Sequence, residues 1–126
     1  MLKDNSTGPP AQRTRKMKQQ TIKLIALIKT HRGRHTLWVG TLAQMTGAFS
    51  YKLECGNSWN SKIKTASEIK TLKGLVSNLN KSVKETQGSC FDRDFYEEAI
   101  VTDEAREAWT KQQETYQGTY TKDLEA

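Results

Sequence analysis

The side chains with the clearest chemical promise are cations. At 100° per residue, Lys70, Lys73, Lys81 and Lys84 fall within about 80° of one another on a helix, with Ser77 between them. A row of ammonium groups free of acids can follow a phosphate backbone, and each phosphate neutralised on duplex DNA adds about 0.9 to the salt slope. The same row also describes a helix face kept in water by lysine. A second basic group, Arg32 and Arg34, flanks Gly33 inside the run His31-Arg32-Gly33-Arg34-His35. The planar fork of arginine suits phosphate oxygens or guanine edges. Arg13, Arg15, Lys16 and Lys18 form a third.

Other constellations are weaker. His31 and His35 with Cys55 and Cys90 supply four zinc-ligand types, but the cysteines lie 35 residues apart, whereas zinc sites draw ligands in close pairs. No metal or cofactor is expected. Ser67-Glu68-Ile69-Lys70 has the S-x-x-K spacing that lets lysine reach a serine hydroxyl, without the S-D-N and K-T-G segments that accompany it in known hydrolases. Asp92, Asp94, Glu97 and Glu98 cluster in sequence but lack calcium-loop spacing. No glycine-rich phosphate loop, zinc finger, helix-turn-helix or RNA-recognition signature is present. An enzyme is therefore not the leading reading, and no catalytic residue is assigned.

These groups must be carried by a small fold. The chain has 126 residues, 35% hydrophobic and 27% charged, so one modest core is the expectation. Charge is uneven. Residues 1–36 are net +8, residues 37–90 net +4 and residues 91–126 net −6. This asymmetry points to a polyanion partner bordered or shielded by acidic residues 92–107, and it speaks to association rather than fold.

Along the chain, residues 1–18 read as a flexible basic arm, residues 19–116 as a single α+β domain and residues 117–126 as a frayed tail. Thr21–Lys29 and Thr36–Ala43 read as two strands joined in a hairpin whose tip is His31–His35. Phe49, Tyr51 and Leu53 alternate with polar residues, which predicts a third strand, and Trp59–Lys64 supplies a possible fourth. Thr65-Ala66-Ser67-Glu68 fits a capping box. Ile69, Leu72, Val76, Leu79 and Val83 follow at helical spacing, so an amphipathic helix is expected to about Lys84 and a break at Gly88. Thr102-Asp103-Glu104 opens an acidic helix ending near Tyr116.

The fold expected is an α+β meander of three or four antiparallel strands with one amphipathic helix packed on it and a C-terminal acidic helix. Its second sheet face is solvated or covered by a partner. Trp38, Phe49, Tyr51 and Trp59 are either core or a base-stacking platform on that face. No segment approaches the ~18–20 apolar residues of a membrane span, and the sparse cysteines suit the cytoplasm. The leading functional expectation is a small non-enzymatic nucleic-acid-binding or regulatory protein. It would use Arg13, Arg15, Lys16, Lys18, Arg32, Arg34, Lys70, Lys73, Lys81 and Lys84 on DNA or RNA. The alternative is a modulator or inhibitor of the mobile-element type that docks on a larger host protein through Trp109 and Tyr116. A small oligomeric enzyme is a third possibility, and a free sheet edge allows a homo-oligomer.

Overall fold

A computed structural model describes residues 22–88 and 92–124 of the chain. The basic arm with Arg13, Arg15, Lys16 and Lys18 lies outside the described residues, as does Cys90.

Strand β1 (Ile25–His31) and strand β2 (Arg34–Gly40) form the expected hairpin, with Ile25 opposite Gly40 and His31 opposite Arg34. Its loop is Arg32-Gly33, at φ 52° and 78°. Positive φ at both positions is what a two-residue loop needs to match strand twist. Gly33 adopts it freely, whereas Arg32 does so against its own Cβ.

The next segment departs from its predicted strand. Thr41 caps helix α1 (Leu42–Ala48), and helix α2 (Ser50–Trp59) follows after Phe49. Met45, Phe49, Leu53 and Gly56 are buried at spacings of 4, 4 and 3, while Tyr51 is 78% exposed. The apparent two-residue alternation was half of a helical stripe. Residues 60–64 form a turn rather than a fourth strand.

The Thr65–Glu68 capping box is present, but it closes a single 3₁₀ turn, Ala66–Glu68. The chain extends through Ile69 and Lys70, and Thr71 then caps helix α3 (Leu72–Gln87), its hydroxyl accepting from the Gly74 amide at 3.0 Å. The helix runs past Lys84 to Gln87, and Gly88, the expected break, ends it at positive φ. Strand β3 (Phe95–Ala99) follows, then helix α4 (Asp103–Gln112), capped by Thr102, and strand β4 (Tyr120–Leu124).

The fold is α+β with a four-stranded, wholly antiparallel sheet ordered β3-β1-β2-β4. Its outer strands come from the C-terminal third, not from residues 49–64. The tail expected to fray from residue 117 instead supplies β4, with Tyr120 opposite Val39 and Leu124 opposite His35.

Alternation along the strands divides the core. Leu27, Trp38 and Tyr96 face one way and meet Phe49, Leu53, Leu75, Leu79 and Val83 of the α1–α3 layer. Ala26, Val39 and Ala99 face the other way and meet Ala105 and Trp109 of α4. The second sheet face, expected to be open, is therefore covered by the chain's own acidic helix at that end. Gln44 ties the layers together at the sheet's end. Its Oε1 accepts from the Trp109 indole at 2.9 Å and its Nε2 donates to Gln113 at 3.0 Å.

Candidate nucleic-acid interface

Helix α3 lies beside the outer edge of β3, and two of its carboxamides serve that edge as a neighbouring strand would. Asn80 accepts from the Tyr96 amide and donates to the Tyr96 carbonyl, both at 2.9 Å. Gln87 accepts from the Asp94 amide at 2.8 Å. Seven residues separate these side chains, two helical turns, so both point to the same side of α3. The polar stripe of α3 thus lies in the angle between helix and sheet. It is a groove wall, not a free ridge.

That groove has a volume of about 430 Å³ and includes Ser77, Lys81, Lys84, Arg93, Asp94 and Phe95 in its lining. Three cations converge there, two from α3 and one from the segment entering β3. Phe95 stands among them half exposed, at 50%.

The one acid among the described lining residues is already engaged. Asp94 is 6% exposed, accepts from His31 Nδ1 at 2.6 Å and lies 3.5 Å from Lys52 and 3.8 Å from Lys29. Burial works to raise its carboxyl pKa, but the His31 hydrogen bond and the charges of Lys29 and Lys52 outweigh that and hold it below the ordinary value. A phosphate entering the groove meets a carboxylate whose charge is offset from behind. Asp94 also joins the groove to the hairpin, since His31 immediately precedes Arg32.

The predicted site residues are distributed unequally. Lys81 and Lys84 line the groove, and Arg32 and Arg34 are exposed at the hairpin tip. Lys73 lies on the same stripe, exposed, two turns before Lys81. Glu98, exposed and on the same sheet face as Tyr96, introduces an acid toward that end. Lys70 leaves the set. It precedes the cap of α3, donates to the Ser67 carbonyl at 3.1 Å, and lines a separate cavity with Lys23, Ile25 and Leu42. The S-x-x-K spacing therefore brings lysine to a backbone carbonyl rather than to the serine hydroxyl.

Several other expectations are corrected. Trp109 is 7% exposed and hydrogen-bonded inside the molecule, so it is a core residue and not a docking aromatic, whereas Tyr116 is exposed. Phe49 belongs to the core and half-buried Trp38 packs against it, their rings tilted by 51° at 4.7 Å, with Tyr96 edge-on to Phe49 at 5.5 Å. Tyr51 and Trp59 are exposed on α2, away from the sheet face proposed for stacking. Of acidic residues 92–107, Asp94 does line the groove, whereas those of α4 do not border it, because α4 packs on the opposite side of the sheet. His35 bonds Thr30 at 2.8 Å while His31 bonds Asp94, and among the described residues no three His, Cys, Asp or Glu side chains converge.

Arg93, Phe95 and the Asp94–His31 pair were not singled out as a site from sequence. An aromatic two residues from an arginine in a polar stretch was the one available signal. Among the described residues no helix is long and apolar enough to cross a membrane. Comparison of the chain with protein-family models, curated proteins and solved structures finds no match.

Proposed function

We propose that the chain is a non-enzymatic nucleic-acid-binding protein that engages phosphates in the groove between α3 and β3. The observation that carries this reading is the convergence of Lys81, Lys84 and Arg93 on one groove whose single acid, Asp94, is held by Lys29, Lys52 and His31. Three cations within one concave surface favour a polyanion over an isolated anion.

The test is fluorescence anisotropy with labelled oligonucleotides between about 50 and 200 mM salt. Three phosphate contacts on a single strand give a salt slope near −2.1, or about a 20-fold loss of affinity across that range. Arg32, Arg34 and the basic arm would steepen it. Lys81→Glu with Lys84→Glu should flatten the slope by about 1.4, with Lys73→Glu having the smaller effect and Lys70→Glu none. A slope near zero, or equal effects at Lys70 and Lys81, rejects the groove.

A second reading, a modulator that docks on a larger protein, is favoured by the exposure of Tyr51, Trp59 and Tyr116. It predicts no affinity for bare polyanion at physiological salt and loss of partner binding in Trp59→Ala.

A further inference from the structure

We infer that the groove between α3 and β3 takes single-stranded nucleic acid in preference to duplex, with one base stacked on Phe95 and the adjoining phosphates on Lys81, Lys84 and Arg93. This rests on the nucleic-acid reading above and narrows its ligand.

Shape is the first argument. An α-helix reads duplex DNA by entering a major groove about 12 Å wide, which requires a protruding helix. Helix α3 does not protrude. On one side Asn80 and Gln87 fasten it to the edge of β3. On the other, α2 approaches so closely that a Cβ on Gly56 would lie 2.8 Å from the Ser82 Cα. Lys81 and Lys84 therefore address a re-entrant angle. A duplex offers that angle a stiff convex backbone, whereas a single strand can bend into it. An unpaired nucleotide can enter, since about 430 Å³ lies within the ~300–1,000 Å³ of pockets that hold small organic groups.

Chemistry is the second. Phe95 contributes an apolar ring to a lining otherwise rich in cations, and half of its surface is open. On a surface that binds phosphates alone, such a ring has nothing to pack against. Beside an unpaired base it offers a stacking face, and stacking tolerates any sequence because every base has a π-face. Ser77 adds a hydroxyl to the same lining.

The experiment compares, with the full chain at 100 mM salt, a labelled 12-nucleotide single strand against a hairpin duplex of equal phosphate count. The single strand is expected to bind at least about 10-fold more tightly. Phe95→Leu should weaken single-strand binding by about 5- to 150-fold and leave duplex binding unchanged. Phe95→Trp should retain affinity and show tryptophan emission quenched by the single strand. Matching thermal unfolding of the variants and the parent excludes loss of fold, which half-exposed Phe95 makes a fair control. Equal affinity for the two ligands, or no effect of Phe95→Leu, overturns the inference while leaving phosphate binding standing. Absence of binding to both ligands rejects the nucleic-acid reading itself.

Discussion

Replacing Asp94 by asparagine should destabilise the protein and, on the proposed nucleic-acid reading, tighten single-strand binding at the same time. The carboxylate is 6% exposed and faces His31, Lys29 and Lys52. Asparagine keeps the volume and can still accept from His31, but its NH2 replaces the oxygen that accepts from Lys52 and Gln87, so the change removes the charge and one acceptor. Removing one partner of a fully buried ion pair costs about 3–5 kcal/mol. The lysine side chains here are 28% and 26% exposed and can turn toward water, which lowers the expected loss to about 2 kcal/mol. In a domain of this size that is a fall in Tm of about 8 °C or more. The pH dependence has a definite sign. A carboxyl whose folded pKa is depressed contributes its stability above the unfolded value of about 3.9, and that contribution is lost as pH falls through the folded pKa. Urea unfolding followed by tryptophan fluorescence should show the full difference at pH 7 and a vanishing one well below pH 4. The same substitution removes the one acid among the described lining residues of the groove, so single-strand affinity at 50 mM salt should rise. A loss smaller than about 0.5 kcal/mol at pH 7, or one that persists undiminished in acid, would refute the electrostatic account of this site.

Three further outcomes follow from local geometry. Gly56→Ala should cost about 1–3 kcal/mol in chemical denaturation, because the new methyl meets Ser82 backbone across the α2–α3 crossing. Arg32→Asn should stabilise the hairpin by about 0.5–1 kcal/mol, since asparagine tolerates the left-handed conformation that arginine holds at φ 52°. If Arg32 contacts phosphate, the same variant should bind polyanion more weakly, so stability and affinity move in opposite directions. Tyr96→Phe should be neutral or stabilising by up to about 1 kcal/mol, because the buried Tyr96 hydroxyl has no hydrogen-bond partner among the described residues. A loss above 1 kcal/mol there would show that the hydroxyl is satisfied.

What could be read from sequence tracks how much each element buries. The hairpin and α3 bury continuous apolar patterns, and both stood out. Thr102 announced α4 by its cap, although that helix stops at Gln112 rather than Tyr116. The edge strands were invisible for a physical reason. β3 reads Phe-Tyr-Glu-Glu-Ala and β4 Tyr-Thr-Lys-Asp-Leu, and a half-exposed edge strand needs little apolar alternation. The misreading of residues 49–53 came from counting Tyr51 as apolar-inward. Extending the window back to Met45 and on to Gly56 would have favoured the helical period. The lysine stripe was legible as a stripe, but its concavity was not. That depends on the Asn80 and Gln87 contacts with β3, which join parts of the chain no local pattern connects.

Those two carboxamides also bear on how copies of this molecule can meet. An open sheet has two rims, and a chain with both rims bare can add neighbours indefinitely, the geometry of a fibril. Here the rim at β3 is occupied from within by Asn80 and Gln87, leaving β4 as the rim without a described neighbour. Two molecules can join antiparallel, β4 to β4, and the resulting eight-stranded sheet ends on two sealed rims. Among the described residues, self-association through the sheet would thereby be limited to pairs, and each pair would carry two α3–β3 grooves, one toward either end of the joined sheet.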